Sequence, residues 1–304
     1  MSAALGLGTY RVRAVAEAAR TACSAGVPWI DTAPNYAGGG AHQELGPVLA
    51  EHPWVRVATK TGFMIGAQIA AAVGTGVLSR EEAAFGHSLN PRFVRWQTAR
   101  AAACLGRADL VFVHNPERAS EDRAELHSAL LGAFTELEEF AHAGRIGGYG
   151  VATWSGFRQG LFTVPELIGL AQQASGGDTH HLLAVQMPVS LVVIQPIALA
   201  LGGRGPLVQA RAAGLTTFGS APLHGGQLPE MVTPELVDFI QPGLSRAAVC
   251  LLAAASCPSL DVVLTSASSE VHWRESAAAL ALPLDACQLR KVTDVLAPAR
   301  HRHP

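Results

Sequence analysis

Short apolar segments alternate with longer helical segments along almost the whole chain, and this alternation constrains the fold most strongly. Eight short segments have the apolar composition of buried parallel strands: residues 5–10, 29–31, 56–60, 109–114, 146–152, 183–187, 215–219 and 262–265. Helical segments with apolar residues at three- and four-residue spacing separate them: residues 12–24, 42–50, 90–106, 121–143, 165–174, 207–213, 245–255 and 273–281. Because no segment doubles back, the pattern predicts an α/β fold, a parallel (β/α)8 (TIM) barrel, rather than an open doubly wound sheet.

The length of the chain fits one such barrel. A (β/α)8 barrel takes roughly 250 residues, and this chain has 304, of which 49% are hydrophobic. We therefore expect one domain over residues 1–304, with long loops at 61–89, 188–204 and 220–244 and an extra C-terminal helix over about 285–296. The tail at 300–304, which holds His301 and His303, is expected to fray.

Charge and cysteine usage narrow the class of partner. The net charge is −2, and the pI of about 6.6 provides no positive field for nucleic acid or an anionic membrane. The sequence has no signal-peptide pattern and no apolar run long enough to span a membrane. Its five cysteines form no C-x-x-C pair and no metal-ligand spacing. We expect a cytoplasmic protein without a metal, either a monomer or a homo-oligomer, that acts on a small molecule.

Polar side chains follow three of the first four predicted strands. Asp31 ends the second strand and Tyr36 follows it, Lys60 ends the third, and His114 ends the fourth. In a barrel these positions share the face on which catalytic groups lie. Each also has a structural interpretation: a capping Asp, a packed loop Tyr, a Lys that snorkels to solvent, and a His that caps a turn. Only two of the 22 basic residues are lysines. A lysine at position 60 therefore indicates a role that an arginine guanidinium cannot fill.

Together the four residues suit the reduction of a carbonyl group. A phenol such as Tyr36, with an ordinary pKa of about 10, is a weak proton donor, and a neighbouring ammonium is expected to lower that pKa. Asp31 would hold Lys60 in place, and His114 would orient and polarise the carbonyl oxygen. None of the four can donate hydride, so a cofactor is required.

The motifs that carry these residues resemble the aldo-keto reductase family. They are WIDTAPNYAGGGAHQELG, VATK, LVFVHNPE, GRIGGYGVAT, the pair Val185-Gln186, SAPLHGG and LTSASSEVHWRES, and they extend through nearly the whole chain. The resemblance implies that Tyr36 is the general acid, tuned by Lys60 and Asp31, with His114 positioning the substrate. It also implies an extended NADPH/NADP cofactor, with NADH as the alternative, bound without a Rossmann fold. The residues that the resemblance places on this cofactor are Thr153, Gln186, Ser220, Leu223, Gly225, Ser266, Ser268, His272, Arg274 and Glu275.

Several cofactor positions depart from the family pattern. Ala152 and Thr153 stand where the family has Ser and Asn, and Ser220 stands where an aromatic residue usually stacks on nicotinamide. Ser266 and His272 replace the familiar Lys and Arg at the adenosine end, where Arg274 is a substitute from a shifted position. Since a 2′-phosphate prefers charged partners, these departures bear on the choice between NADP and NAD.

Substrate choice in this fold depends on the loops. Residues 61–89 and 187–201 are largely apolar, which predicts a lipophilic pocket wall with Phe63, Met64, Met187 and Trp154 as substrate contacts. The expected substrate is a bulky, mainly apolar carbonyl or imine compound of specialised metabolism. Alternatively, these segments pack on each other or on a second subunit.

Three other functions stay open from the sequence alone. The chain could be a nucleotide-sensing regulatory module with little turnover, or a sugar or alcohol dehydrogenase working in the oxidative direction. A lyase or aldolase would use Lys60 as a Schiff-base amine. That chemistry needs a neutral lysine, whereas Asp31 beside it would keep it charged.

Overall fold

Eight parallel strands form a closed barrel in a computed structural model that describes residues 2–296. Neighbouring strands pair in chain order, and β1 closes the barrel on β8. The predicted (β/α)8 barrel is therefore confirmed. His301 and His303 lie outside the described residues. The strands are β1 Ala4–Gly8, β2 Trp29–Asp31, β3 Arg56–Thr61, β4 Leu110–His114, β5 Tyr149–Ala152, β6 Leu182–Pro188, β7 Thr216–Ser220 and β8 Val262–Thr265.

Helices surround the barrel and also occupy the long connections. Those of the described chain are α1 Val15–Ser24, α2 Ala41–Glu51, α3 Gly66–Gly74, α4 Arg80–Ala84, α5 Pro91–Leu105, α6 Arg123–His142, α7 Gly156–Gln159, α8 Val164–Ser175, α9 Gln195–Leu201, α10 Pro206–Ala212, α11 Leu228–Met231, α12 Pro234–Ile240, α13 Arg246–Ala255, α14 Glu270–Leu280 and α15 Ala286–Leu296. The connection at 61–89 thus holds α3 and α4, that at 188–204 holds α9, and that at 220–244 holds α11 and α12. Within residues 2–296, no helix is both long enough and apolar enough to cross a membrane.

The barrel interior is filled by aromatic and aliphatic side chains below its mouth. The rings of Trp29 and Phe218 meet edge to face with centroids 5.3 Å apart, and Phe112 meets Phe218 at 5.5 Å. At the lower end, the guanidinium of Arg56 lies 4.3 Å from the centre of the Trp29 ring. Successive strand residues point to opposite faces of the sheet. The last inward positions of β2, β3 and β4 therefore form the layer above these packed side chains. Those positions are Asp31, Lys60 and His114.

Two helical glycines differ in what an added methyl group would meet, and this difference makes a stability prediction. In α2, a Cβ on Gly46 would lie 2.5 Å from the Cys104 carbonyl oxygen of α5, whereas a Cβ on Gly169 in α8 meets nothing within 4 Å. We expect Gly169→Ala to raise the free energy of unfolding by about 0.5 to 1 kcal/mol, since Ala loses less backbone entropy in a helix. Gly46→Ala should lower it by roughly 1 to 3 kcal/mol because α2 and α5 must move apart. Urea unfolding of both variants beside the parent chain checks the pair, and equal shifts would contradict it.

Candidate active site

Lys60 and Asp31 form a buried ion pair at the top of the barrel. The Lys60 Nζ lies 2.5 Å from Asp31 Oδ2 and donates to the Thr32 carbonyl oxygen at 3.0 Å. Lys60 is 1% exposed and does not line the cavity above it, so its amine is shielded from a substrate. Burial lowers the pKa of Lys60, and the charge and hydrogen bond of Asp31 oppose that effect. The geometry suits a fixed charge and disfavours a Schiff-base nucleophile.

The second oxygen of Asp31 has its own partner. Gln186 lies on the inward face of β6 and donates through Nε2 to Asp31 Oδ1 at 2.9 Å. The two carboxylate oxygens are therefore held from opposite sides, by an ammonium and by an amide. Sequence reasoning placed Gln186 beside a cofactor and missed this contact, because the two residues are 155 positions apart.

Tyr36 stands on a left-handed turn between β2 and α2. The backbone φ angles of Ala37, Gly38 and Gly39 are +48°, +63° and +94°. Glycine adopts such angles without a Cβ clash, so the glycine run after Tyr36 permits this turn. The turn places the Tyr36 ring with its centroid 5.1 Å from Lys60 Nζ and 6.2 Å from the His114 ring. The four predicted catalytic residues are thus brought together.

The pKa of Tyr36 moves opposite to the sequence expectation. The sequence predicts that the Lys60 ammonium lowers it, but the pKa is raised well above its ordinary value, first by burial and then by the negative charge of Asp31 and by Tyr10. The reason is that the phenol is enclosed, and enclosure disfavours the charged phenolate. In the free protein the Tyr36 hydroxyl is therefore protonated at neutral pH and can act as a proton donor.

His114 is held as a neutral imidazole. Its pKa is lowered well below the ordinary value, by burial first, then by the positive charge of Lys60 and by electrostatic coupling to His87. Its Nδ1 is buried without a hydrogen-bond partner among residues 2–296. A neutral imidazole can donate one hydrogen bond to a carbonyl oxygen without giving up a proton.

A second histidine, missed from the sequence, holds the backbone of the first. The Nε2 of His87 lies 2.9 Å from the His114 carbonyl oxygen, which can only accept, so His87 donates. Phe63 pairs with His87 through an isolated antiparallel bridge, and its ring contacts both imidazoles at 4.8 Å. The connection at 61–89 therefore returns to the site and supports His114 from behind. Only a long-range pairing places His87 there, and no local motif signals it.

One cavity of about 780 Å³ opens above these residues. Tyr36, Asp31 and His114 line its floor, and the predicted substrate contacts Phe63 and Trp154 line its wall. The predicted cofactor residues that also line it are Thr153, Gln186, Ser220, Leu223, Gly225, Ser266, His272 and Glu275. A single cleft thus extends from the ion pair to the start of α14.

Two predicted substrate contacts, Met64 and Met187, do not line the cleft. Met64 is 1% exposed and packs in a separate apolar cluster with Leu78 and Phe93, and Met187 is 4% exposed within the main core. Both side chains bury their apolar surface inside the protein. Most apolar residues of 187–201 likewise pack into the core, as for Ile194 and Ile197, while Val192 is exposed, and none of the segment lines the cleft. The structure favours the packing alternative for that segment.

Two predicted cofactor residues lie outside the cleft lining. Ser268 is not among the lining residues, and Arg274 lies on the exposed face of α14, where its guanidinium is 3.5 Å from Glu270. An ion pair between residues four apart on an exposed helix is weak. Arg274 is therefore only loosely held where it lies.

The Glu117 carboxylate, in the loop after β4, holds residues 153–155, which follow β5. Glu117 accepts hydrogen bonds from the Thr153 hydroxyl and from the backbone N–H groups of Trp154 and Ser155, each at 2.8 Å. The Thr153 hydroxyl also accepts from the Gly156 N–H at 2.8 Å. Thr153 is thus committed to protein partners, while Trp154 is 45% exposed and faces the cleft. Glu117 is the last residue of the LVFVHNPE motif, so this motif could have indicated its role from the sequence.

The cleft contains polar groups suited to an extended anionic cofactor. Arg11 lines it beside the 223–226 loop and donates to the Gly225 carbonyl oxygen at 3.1 Å. Unpartnered buried atoms in the lining include Asn35 Oδ1 and His224 Nδ1. A guanidinium beside a glycine-containing loop is the donor set that a diphosphate prefers. The residues present fit a nicotinamide dinucleotide, and Arg11 and Asn35 add to the predicted set.

A model of the aldo/keto reductase family matches residues 3–159, which include all four top-layer residues. The chain belongs to the aldo/keto reductase family. Enzymes of this family use nicotinamide cofactors. A comparison with curated protein sequences gave no significant match.

Solved aldo/keto reductases share the barrel with this chain. An aldo/keto reductase from Klebsiella pneumoniae, solved with NADP and acetate, is 18% identical with a TM-score of 0.66, over 98% of this chain and 93% of that one. Glycerol dehydrogenase from Gluconobacter oxydans is 17% identical with a TM-score of 0.68, over 96% and 91%. A thermostable aldo-keto reductase, solved with the inhibitor epalrestat, is 17% identical with a TM-score of 0.65, over 96% and 94%. At these identities the likeness concerns the fold.

A buried histidine behind the ion pair makes stability depend on pH. His42 lies 2.9 Å from the Thr59 hydroxyl, and burial together with the Lys60 charge lowers the pKa of His42 to about 4. Because the unfolded chain binds this proton more tightly, the stabilisation is complete above about pH 6.5 and is lost as the pH falls toward 4. We expect His42→Gln to reduce the loss of unfolding free energy between pH 7 and pH 4.5 by about 2 to 3 kcal/mol. Substitution of the exposed His142 should leave the loss unchanged, and an equal effect of both variants would contradict the assignment.

Proposed function

We propose that the chain reduces the carbonyl group of a bulky, mainly apolar aldehyde or ketone, or the corresponding imine, with hydride from NADPH and a proton from Tyr36. The observation that carries this proposal is the buried Lys60–Asp31 pair lying against the Tyr36 ring. The His114 ring lies 6.2 Å from that ring, and both residues line the cleft. This combination provides a proton donor, a fixed cation and a hydrogen-bond donor around one point.

Each residue has a distinct part in the proposed reaction. His114, as a neutral imidazole, donates a hydrogen bond that orients the carbonyl oxygen. As negative charge grows on that oxygen, it becomes more basic than a phenolate, so the protonated Tyr36 transfers its proton to it. The phenolate that remains is stabilised by the Lys60 ammonium, and Asp31 keeps that ammonium in place.

A reduced nicotinamide would supply the hydride that no side chain can give. Gln186, Arg11 and the 223–226 loop are the groups that we propose to hold it, with His272 and Glu275 at the adenosine end. The presence of NADP in the Klebsiella pneumoniae structure supports this choice. NADPH is our preferred donor over NADH, although Arg274 must leave Glu270 to contact a 2′-phosphate.

The proposed substrate class rests on the walls of the cleft. Phe63, Trp154 and Tyr10 line it as aromatic surfaces near the floor. Trp154 also contacts the His224 ring, with centroids 5.9 Å apart. Aromatic surfaces in a pocket wall favour apolar, planar substrates over small polar ones.

The proposal is tested with the purified chain, NADPH and a panel of carbonyl compounds, by following oxidation of the reduced nicotinamide. We expect aromatic and long-chain aldehydes or ketones to give kcat/KM values at least tenfold above those of short aldoses and glyceraldehyde. Preferred turnover of the short aldoses would overturn the substrate class. Binding of NADPH with no turnover of any carbonyl would instead favour a nucleotide-sensing module, and turnover of alcohols with NADP alone would favour a dehydrogenase.

A further inference from the structure

A second cavity lies outside the barrel, between α2, α3 and α5. Its volume is about 500 Å³, and it shares no lining residue with the cleft above Tyr36. Pro34 and Gly39 in its wall belong to the turn that carries Tyr36, so the cavity lies behind that turn. Volumes of about 300 to 1,000 Å³ are typical of small-molecule sites.

The walls of this cavity are already held by internal hydrogen bonds. The Gln97 amide accepts from the Gly62 N–H at 2.8 Å and donates to the Phe63 carbonyl oxygen at 2.7 Å. The Gln68 amide accepts from the Ile65 N–H and donates to the Pro34 carbonyl oxygen. Since these amides are committed, they shape the walls and leave recognition to other groups.

The rim of the cavity carries a cation, Arg100, that has no carboxylate partner among residues 2–296. The guanidinium of Arg100 lies 4.9 Å from the centre of the Trp96 ring. The ion pairs found among residues 2–296 all involve other cations. The Trp96 ring is stacked on Phe93, with centroids 5.8 Å apart, so Trp96 holds the Arg100 guanidinium at the cavity rim. A planar carboxylate complements this arrangement, because guanidinium binds carboxylates bidentately and also stacks on aromatic rings.

The inner end of the cavity carries an imidazole. His42 lines it, is 5% exposed, and uses Nε2 for the Thr59 hydroxyl. The one side-chain hydrogen bond found for His42 within residues 2–296 is that of Nε2, which leaves Nδ1 for a ligand. Between His42 and Arg100 the lining is largely apolar and includes Ile65 and Ala101. A ligand that spans this distance would combine an aromatic body with a polar group at its inner end.

We propose that the cavity between α2, α3 and α5 binds a small aromatic carboxylate. Its carboxylate pairs with Arg100, its ring lies against Ile65 and Ala101, and a hydroxyl at the far end meets His42. This site is separate from the proposed reductase cleft, and both sites can be filled at the same time.

The test is calorimetric titration of the full chain with 6-hydroxy-2-naphthoate, with and without saturating NADP. We expect an Arg100-dependent site with a Kd of about 1 mM or tighter, whose affinity is unchanged by NADP. Arg100→Gln should weaken binding by about tenfold or more, and Trp96→Leu should also weaken it. Arg92→Gln, on the same helix but outside the lining, should bind as the parent chain does.

Cysteine alkylation locates the bound probe independently. Cys104 lines the cavity, and Cys287 is exposed on α15 outside the lining. The probe should slow modification of Cys104 by iodoacetamide and leave Cys287 unaffected, as read by mass spectrometry. The proposal is overturned by absence of binding at roughly 10 mM probe, by unchanged binding to Arg100→Gln, by unprotected Cys104, or by displacement of the probe with NADP. Failure of NADP to bind would count against the proposed reductase function and not against this site.

Discussion

Replacing Tyr36 with Phe is expected to lower kcat for carbonyl reduction by roughly 10²- to 10⁴-fold, the usual contribution of a general acid. The ring remains and keeps its contacts with Lys60 and His114, so the affinity for NADPH should not change. Single-turnover kinetics and fluorescence titration of NADPH measure the two quantities separately.

Tyr10 provides the matched control for this variant. Its ring also lines the cleft, with its centroid 5.2 Å from that of Tyr36, but it is 51% exposed and makes no contact with Lys60 in the described structure. Tyr10→Phe should therefore keep kcat within about tenfold of the parent value. If Tyr36→Phe were as active as Tyr10→Phe, the proton would come from another group.

The second large effect is expected from breaking the buried ion pair. Lys60→Met leaves the Asp31 carboxylate buried with only the Gln186 amide as a side-chain partner. An unpaired buried charge costs about 3 to 5 kcal/mol, so the free energy of unfolding should fall by that amount. Reductase activity should be lost as well, because the phenolate of Tyr36 would have no cation to stabilise it.

A double variant separates the two consequences. Adding Asp31→Asn to Lys60→Met removes the unpaired charge and keeps an amide that can meet Gln186. We expect urea unfolding to show recovery of more than half of the lost stability, with no recovery of activity. Activity in Lys60→Met near the parent level would contradict the role given to Lys60.

The top layer of the barrel could be predicted from the sequence because its residues stand at the carboxyl ends of recognisable strands. Asp31, Lys60 and His114 occupy alternate positions that end on the inward face of β2, β3 and β4. Once the strands are recognised, parallel pairing brings these residues to one edge. The strand boundaries are predicted less accurately. The first strand is predicted over residues 5–10, but β1 ends at Gly8, so Tyr10 lies in the following loop.

The remaining features depend on contacts that a local pattern does not contain. Met64 and Met187 are apolar residues near the mouth, but whether such a side chain faces a cleft or the core is decided by tertiary packing. The direction of the Tyr36 pKa depends on how completely the phenol is enclosed. His87 reaches His114 only through the bridge between Phe63 and His87. Each of these is a long-range consequence of how the connections pack.

The most direct test of the central claim follows hydrogen from the cofactor to the product. The chain is incubated with NADPH carrying deuterium at the reactive C4 position and with an aromatic aldehyde, and the alcohol is examined by mass spectrometry. The account predicts one deuterium on the former carbonyl carbon with the parent chain, and almost no labelled alcohol with Tyr36→Phe. Alcohol formed without the label, or labelled alcohol formed equally fast by Tyr36→Phe, would contradict it.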